Sequence, residues 1–353
     1  MGRMRLVRRG GRALLALPPT RAASLHALRL YQPQRPAAKV MAVCLRWLIW
    51  GGGHRLLPAV EITRTATVEG KSGGHGRPFP GSVGLMFGSP EHLVKRAIAT
   101  YQTEHGWEVA KIAFGSGGRE VIDMEVAVLA ALSGSVRGLP ALLGSSLGEE
   151  VSLLRLPRYE GASLRMADAA TDRDAVALLT SWLGNMPAKP ITEFTEWQFI
   201  HAALAELPGG AAALDQLAAE KLTPVVRHGD FSRWNLLRLA NGELLALDWE
   251  WGAVAGLPGT DLVHYFAQDA RLVRRLPTLE ALRATAAALA RGECQEYLGQ
   301  TGWQGGAAAV MLASLALTVG ACQQDNGELL LTWLKTMAAG SAKAANERKQ
   351  DGR

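Results

Sequence analysis

One short stretch of the chain combines side chains that could bind a metal ion and move a proton. The segment HGDFSRWNLL, residues 228–237, carries Asp230 and Asn235, and after an NGE turn the segment LLALDWEWG carries Asp248. An ordinary hairpin alternates apolar and polar residues, whereas these polar groups stand among large apolar ones such as Phe231. Phosphoryl transfer requires an acid that orients a hydroxyl group and oxygen ligands for Mg²⁺. A bound cation would also keep the carboxylates ionised among apolar neighbours.

The spacing of these residues resembles a known catalytic loop. His228, Asp230 and Asn235 reproduce the pattern H-x-D-x-x-x-x-N of kinases, with glycine where protein kinases have arginine, and Asp248 stands in the place of the DFG aspartate. Together with LDWEWG and a later GTDL, these motifs resemble the aminoglycoside phosphotransferase and choline kinase family, which has a protein-kinase-like fold. The resemblance covers about residues 82–337.

The resemblance implies a role for each matching residue. Asp230 would be the catalytic base or would position the hydroxyl, and Asn235 and Asp248 would coordinate Mg²⁺ at the phosphates of ATP. His228 would brace the loop by hydrogen bonds. Asp261 would pin the loop that follows Asp248.

The loop departs from the family pattern at two places. Many relatives carry His-Pro-Gly between the aspartate and the asparagine, where this chain has residues 231–234, FSRW. Arg233 therefore either adds positive charge near the phosphoryl group or, the interpretation we favour, is an exposed loop arginine. DWE replaces DFG, and Glu250 removes the glycine hinge that activation-loop switching would use.

A lysine and a glutamate that aim at the phosphates are expected earlier in the chain. In WEVAKIAF, Lys111 has a context close to the kinase sequence V-A-I-K. Glu125 follows within an apolar helical pattern, where a lone carboxylate would be costly unless it pairs with Lys111. Glu120 is the alternative, but its position near the helix start is already explained by the helix dipole, so we favour Glu125.

Two further segments are candidates for nucleotide contacts. The turn FGSPEH offers Gly88 and Ser89 for a close backbone approach to phosphates. The apolar run VSLLRLP is expected to hydrogen bond the edge of adenine between the lobes through main-chain groups, which include those of Leu154 and Leu156.

The periodicity of the chain predicts the elements that position these residues. Three strand-like runs, VGLMFG, HLVKRAIATYQ and WEVAKIAF, precede a helical pattern and a further strand, and helical patterns dominate afterwards. We predict an α+β, protein-kinase-like two-lobe fold, with a small β-rich nucleotide-binding N-lobe at 83–157 and a larger helical C-lobe at 158–340 that carries the catalytic loop and acceptor site. Residues 69–82 are predicted to be a flexible connection and 341–353 a disordered tail.

Residues 1–68 lie outside the resemblance and form a predicted basic arm. The first 64 residues hold 12 Lys/Arg against one acidic residue, and the rest of the chain holds 26 against 31. An arm of this kind is expected to be partly disordered or to lie at an anionic membrane surface. Within it, VMAVCLRWLIW is either an interfacial helix or a helix packed on the body, and it is too short to span a bilayer.

Composition limits the class of protein further. With 48% hydrophobic and 20% charged residues among 353, the chain is expected to be globular. Its three scattered cysteines support neither a disulfide framework nor a zinc cluster. We expect a cytoplasmic protein, associated with membranes peripherally at most, and no specific nucleic-acid binding, because the body lacks a basic patch.

These features predict an ATP-dependent small-molecule kinase that uses Mg²⁺. The alternative is a catalytically inactive, nucleotide-binding kinase-like module that acts as a membrane-associated scaffold. The acceptor is left open among aminoglycosides, choline, sugars and glycan-like molecules. Several acidic residues either face a cationic acceptor or, as we favour, are ordinary surface charges: Asp168, Asp172, Glu193, Glu196 and Glu250.

Overall fold

The described part of the chain divides into two compact units. The computed structural model describes residues 3–9, 12–31, 36–61, 83–87, 95–164, 168–322 and 333. The first unit comprises Met1–Ser133 and Pro140–Glu160, and the second comprises Gly134–Leu139 and Gly161–Arg353. The predicted connection at 69–82 and the predicted tail at 341–353 lie outside the described residues.

The first unit is built on an antiparallel sheet of eight strands in the order β3-β1-β2-β4-β5-β6-β8-β7. The strands are β1 Arg3–Arg9, β2 Arg12–Leu17, β3 Ala59–Glu61, β4 Val83–Phe87, β5 Lys95–Thr103, β6 Gly106–Phe114, β7 Gly144–Leu147 and β8 Val151–Pro157. The helices of the unit are α1 Arg21–Leu28, α2 Pro36–Trp50 and α3 Ser116–Leu132. The predicted strands between 83 and 157 and the helix that follows β6 are all present.

The prediction of a separate N-terminal arm is wrong. Strand β2 pairs with β4, so residues predicted to lie outside the N-lobe extend its sheet. Buried side chains of β1, β2, α1 and α2 share one hydrophobic cluster, which includes Leu15, Leu28 and Ile49. The physical reason is that this segment has enough apolar side chains to bury despite its many arginines.

Helix α1 packs closely on β4. A Cβ atom built on Gly84 would lie 2.2 Å from the Cβ of Ala27, so only glycine allows this approach. Nearby, the ring of His26 stacks on Trp107 with ring centroids 4.1 Å apart. These contacts tie the N-terminal segment to the strands that carry Lys111.

The second unit is mainly helical. Its helices are α4 Ala169–Thr180, α5 Trp197–Ala205, α6 Gly210–Ala218, α7 Thr260–Gln268, α8 Thr278–Leu289, α9 Gly292–Thr301 and α10 Gly306–Cys322. Its strands are short: β9 Gly161–Ser163, β10 Lys189–Pro190, β11 Lys221–Leu222, β12 Val225–Arg227, β13 Leu236–Leu239, β14 Leu244–Ala246 and β15 Ala253–Gly256. The strands form a three-stranded sheet β14-β13-β9 and the pairs β12-β15 and β10-β11.

The apolar helices of the second unit form its core. Helix α10 packs against α5 and buries the side chains of Val310, Met311 and Leu312. Among the described residues, no single helix has the length and hydropathy of a membrane span, although α9 and the following helix, bent by 73°, meet those criteria as a pair. A β-rich unit followed by a helical one confirms the predicted α+β class.

Candidate functional site

The loop at 228–235 connects β12 to β13 and has a turn that only glycine fits. Gly229 has φ of +84°, and a Cβ atom there would lie 2.3 Å from the main-chain oxygen of Trp251. An L side chain would be strained by this conformation and would collide with fixed backbone. Glycine in place of the kinase arginine is therefore required by the local geometry of this chain.

His228 is fully buried and holds the loop through both ring nitrogens. Its Nε2–H donates to the carbonyl oxygen of Leu247 at 2.9 Å, and its Nδ1 accepts the main-chain N–H of Asp230 at 3.2 Å. This pattern requires the neutral tautomer. Burial lowers the pKa of His228, which favours the same uncharged form. These are the bracing contacts expected from the sequence.

Asp261, at the start of α7, receives the first two amides of the loop. His228 N–H donates to its Oδ2 at 2.6 Å and Gly229 N–H donates to its Oδ1 at 2.8 Å. The carboxylate thus satisfies two buried amides. Asp261 was expected to pin the chain after Asp248, and that detail is wrong, because its oxygens bind the chain before Asp230.

The carboxylate of Asp230 is held on both oxygens. Asn235 Nδ2 donates to Asp230 Oδ2 at 2.8 Å, and also to the main-chain oxygen of Asp230 at 2.9 Å. On the other side, His264 Nε2 lies 2.8 Å from Asp230 Oδ1, and the carboxylate requires the imidazole to be the donor. The side chain of Asp230 is 34% exposed, so an acceptor molecule can reach it.

The pairing of β13 with β14 brings the backbone next to Asp248 beside Asn235. Leu236 lies opposite Ala246, and Leu247 N–H donates to the carbonyl oxygen of Asn235 at 2.7 Å. Asp248 follows Leu247 and has φ of +72°, one of two positive values among the described non-glycine residues. Aspartate tolerates this left-handed conformation better than most residues, and such backbone strain is common at functional sites.

The donor set fits a hard cation that keeps part of its hydration shell. Asn235 directs its amide nitrogen to Asp230, which leaves the amide oxygen as the ligand atom, and Asp248 supplies a carboxylate. Among the described residues no group of three or more His, Cys, Asp or Glu could enclose a metal ion. A carboxylate and an amide beside phosphate oxygens and water match the preference of Mg²⁺.

The apolar residues of the loop form a buried aromatic floor. Trp182 contacts both Phe231 and Trp249, with ring centroids 5.4 Å and 5.0 Å apart. Trp249 Nε1–H donates to the carbonyl oxygen of Ala246 at 2.8 Å, so the indole is buried without an unsatisfied donor. These rings fix the backbone from which the polar side chains project.

The predicted exposed position of Arg233 is wrong. Its side chain is 2% exposed, donates through Nε to Asp269 Oδ1 at 2.6 Å, and forms a short ion pair with Asp172. Asp172 also binds Arg291 at 3.1 Å. Arginine has no neutral form at ordinary pH, so its burial requires these carboxylates. Arg233 therefore anchors the loop to α4 and to the turn after α7.

Other acidic residues of the second unit are also used internally. Asp168 caps α4 by accepting the N–H of Thr171 at 2.8 Å. Glu196 lies 3.3 Å from Arg227 and accepts the N–H of Leu257 at 3.1 Å. These contacts leave them poor candidates for binding a cationic acceptor, although Glu196, which was expected to be a surface charge, is buried.

In the first unit, the predicted pair of Lys111 and Glu125 is present. Lys111 Nζ on β6 lies 2.6 Å and 2.7 Å from the two carboxylate oxygens of Glu125 on α3. The side chain of Glu125 is 0% exposed and that of Lys111 is 17% exposed. Glu120 is exposed on the same helix, so the alternative pairing does not occur.

The adenine contacts expected from main-chain groups around residues 154–157, including those of Leu154 and Leu156, stay a prediction, and the sheet already uses part of these groups. Strand β8 lies between β6 and β7, and alternate residues direct their main-chain groups to opposite sides. The carbonyl of Arg155 accepts the N–H of Leu143 on the β7 side, so those of Leu154 and Leu156 face β6. They belong to the sheet's own ladder. Gly88 and Ser89 lie outside the described residues.

His264 is a site residue that the sequence analysis missed. It lies three residues after Asp261 on α7, so both side chains share one face of the helix. The signal was available in GTDLVH, because a helix that directs an aspartate at the loop directs its i+3 residue there as well.

Comparisons with known proteins find similarity to solved structures only. No protein-family model and no curated protein sequence matches the chain. A ternary complex of a thermostable mutant of aminoglycoside phosphotransferase APH(4)-Ia with ADP and hygromycin B is 13% identical with a TM-score of 0.46, and the match covers 71% of this chain and 92% of that one. The phosphotransferase APH(3'')-Id from Streptomyces rimosus, with ADP and streptomycin, is 18% identical, with a TM-score of 0.38 and coverage of 60% and 90%. Choline kinase LicA from Streptococcus pneumoniae is 14% identical, with a TM-score of 0.42 and coverage of 69% and 89%.

These solved structures belong to the class that the sequence motifs resemble. Because every TM-score lies below 0.5, the function proposed for this chain rests on its own residues.

Proposed function

We propose that this protein is an ATP-dependent kinase that transfers the γ-phosphoryl group to a hydroxyl group of a small molecule. The observation that carries the proposal is the set of hydrogen bonds and the partial exposure of the Asp230 carboxylate. Nearby carboxylates are neutralised by arginine, as for Asp172 and Asp269, or bind main-chain amides, as for Asp261. Asp230 instead accepts hydrogen bonds from an amide and an imidazole and is partly exposed.

Asp230 acts as the base or positioning group for the acceptor hydroxyl. The hydrogen bonds from Asn235 and His264 fix the orientation of its carboxylate. A lone pair is thus available to the hydroxyl proton as the oxygen attacks phosphorus. The positioned carboxylate reduces the orientational freedom of the acceptor, which is the main contribution a protein makes to this reaction.

Asn235 and Asp248 hold Mg²⁺ in this proposal. The ion, when bound, neutralises charge on the transferring phosphates. In the first unit, Lys111 binds phosphate oxygens, and Glu125 holds its ammonium group in place. His228 and Asp261 take no part in proton transfer and maintain the loop backbone.

The acceptor belongs to the class of hydroxyl compounds that includes aminoglycosides, choline, sugars and glycan-like molecules. The resemblance of the loop to the aminoglycoside phosphotransferase and choline kinase family supports a small molecule over a protein. No cluster of carboxylates among the described residues near Asp230 selects a cationic member of this class.

The test measures ATP consumption across a panel of hydroxyl compounds with the wild-type protein and Asp230→Asn. We expect the variant to lower kcat about 10²- to 10⁴-fold, because it keeps the shape and removes the base. The matched control is Asp215→Asn, which makes the same change at an exposed position on α6 and should keep wild-type activity.

Two outcomes would contradict the proposal. Equal and negligible turnover in wild type and Asp230→Asn with every acceptor, combined with nucleotide binding, would support the inactive scaffold instead. Transfer to a protein serine with no small molecule phosphorylated would assign the chain to protein kinases.

A further inference from the structure

Helix α2 exposes large apolar side chains on the side opposite its core contacts. Leu45 and Ile49 are buried against β1 and β2. On the other side a strip at helical spacing faces solvent, and we call it the α2 outer face: Val40, Val43, Trp47 and Trp50. Trp47 and Trp50 are 66% and 58% exposed and meet edge to face, with ring centroids 5.9 Å apart. Large apolar side chains exposed together in this way mark interaction surfaces.

Basic side chains border this strip. Lys39 and Arg46 are exposed on α2 itself, and Arg21 lies over the ring of Trp50 at 5.2 Å. Just beyond the helix, Arg55 is exposed next to Leu56, which is 87% exposed. The sequence contains no aspartate or glutamate before residue 61. The border of the α2 outer face is therefore positively charged, and residues 1–60, which carry it, include no acidic residue.

We propose that the α2 outer face docks on an anionic lipid membrane. Helix α2 has 15 residues and would lie in the plane of the interface, with its tryptophans at the headgroup level and its basic side chains at lipid phosphates. Tryptophan suits this boundary because its ring is apolar and its N–H can remain hydrated. This inference concerns where the protein works and goes beyond phosphoryl transfer.

The charge argues against a second copy of the chain as the occupant. A two-fold symmetric dimer would place Lys39 and Arg46 of one copy against the same basic border of the other. Such like charges repel across an interface. An anionic lipid surface instead supplies the complementary charge along the whole border.

The test is co-sedimentation of the full-length protein with vesicles of phosphatidylcholine containing one quarter phosphatidylglycerol, without nucleotide. We expect binding that weakens as salt is raised and that is much weaker with pure phosphatidylcholine. Trp47→Ser should reduce the partition coefficient at least about tenfold, because it removes apolar area that the membrane would bury. Arg46→Gln should reduce it about fivefold.

Matched controls use exposed residues of the second unit. Leu272→Ser removes an exposed apolar side chain, and Arg283→Gln removes an exposed positive charge. Both variants should bind vesicles as the wild type does. Melting temperatures of all variants should agree within a few degrees, because each changed side chain lies on the surface.

Three results would overturn the proposal. The first is no binding to the anionic vesicles, and the second is binding that Leu272→Ser weakens as much as Trp47→Ser. The third is sedimentation equilibrium that shows a wild-type dimer and a monomeric Trp47→Ser variant, which would make the α2 outer face an interface between copies. The assay contains no ATP, so a failure here is separate from a failure of the kinase proposal.

Discussion

At the scale of single residues, two buried charges of the described residues lie beside groups of opposite charge. Glu125 is fully buried in the first unit beside Lys111, and Arg233 is almost fully buried in the second unit beside Asp172 and Asp269. Each pair removes a group that would otherwise be costly in the interior. The Arg233 cluster is structural, whereas the side chain of Lys111 is 17% exposed.

Removing one member of the Lys111–Glu125 pair should destabilise the protein more than removing both charges. Lys111→Met leaves a buried, uncompensated carboxylate and should lower the free energy of unfolding by about 3 kcal/mol. The double variant Lys111→Met/Glu125→Gln should recover a large part of that loss. Denaturant unfolding of the single and double variants measures the coupling.

The control for this prediction is an exposed ion pair. Arg238 and Asp174 lie 2.7 Å apart at the surface of the second unit, and Arg238→Met should cost less than about 1 kcal/mol. Additive effects of the Lys111 and Glu125 substitutions would mean that burial of the carboxylate does not depend on the lysine.

The free energy of unfolding should decrease as the pH is lowered, because of His228. Burial lowers its pKa in the folded protein, so the unfolded chain takes up the proton first as pH falls. The contribution is fully present above the ordinary histidine pKa of about 6.5. It is lost progressively below that value. His228→Gln, which can still donate to Leu247, should have a smaller loss of unfolding free energy between pH 7 and pH 5, measured by urea unfolding at each pH.

The change in unfolding free energy with pH for His228→Gln is compared with that for a variant of an exposed histidine, His105→Gln. His105→Gln should retain the slope of the wild type. Identical slopes for wild type and His228→Gln would exclude His228 as the source of the pH dependence.

At the scale of elements, sequence patterns succeeded where one period dominates. Alternation in WEVAKIAF and the helical period after it predicted β6 and α3, and these two elements position Lys111 and Glu125. The loop at 228–235 was found because its polar residues interrupt an apolar pattern. In each case the functional side chain is near in sequence to the pattern that reveals it.

The elements that were missed depend on contacts distant in sequence. Three of the four ends of strands β1 and β2 are arginines, which made the strands resemble a basic arm. Gly10-Gly11 between their apolar residues is nevertheless a hairpin signal. The carboxylates that bury Arg233 lie 61 and 36 residues away. Local periodicity carries no information about such partners.

The packing of α1 on β4 should be sensitive to a single methyl group. Gly84→Ala places a Cβ atom 2.2 Å from that of Ala27, so helix and strand must separate. Overpacking of this kind costs about 1–3 kcal/mol. We expect a lower melting temperature for Gly84→Ala, measured by calorimetry.

Two variants distinguish this clash from other effects of the substitution. Gly292→Ala is a control, because a Cβ atom there meets nothing within 4 Å. The double variant Gly84→Ala/Ala27→Gly should restore much of the lost stability, because removing the Cβ of Ala27 makes room for the new Cβ at residue 84. If the double variant is no more stable than Gly84→Ala alone, the contact between α1 and β4 is not the cause.

At the scale of the whole molecule, charge and chemistry are divided between different parts of the chain. The first 64 residues hold 12 Lys/Arg against one acidic residue, and the remainder, with 26 against 31, is net acidic. The residues proposed for the reaction, Asp230, Asn235 and Asp248, come from the acidic part. A protein with this division can bind an anionic surface through one segment, while the carboxylates proposed for the reaction belong to another.

Mg²⁺ should stabilise the protein only when a nucleotide is also bound. A ligand present at 100 times its Kd adds about 2.7 kcal/mol to the free energy of unfolding. We expect a non-hydrolysable ATP analogue to raise the melting temperature, and Mg²⁺ to raise it further only when the analogue is present, because Asn235 and Asp248 alone are too few ligands for the ion. Asp248→Asn should keep the shift caused by the analogue and lose the increment caused by Mg²⁺, whereas Asp215→Asn should keep both. An Mg²⁺ increment of wild-type size in Asp248→Asn would place the metal elsewhere and would leave the left-handed conformation of Asp248 without a role in catalysis.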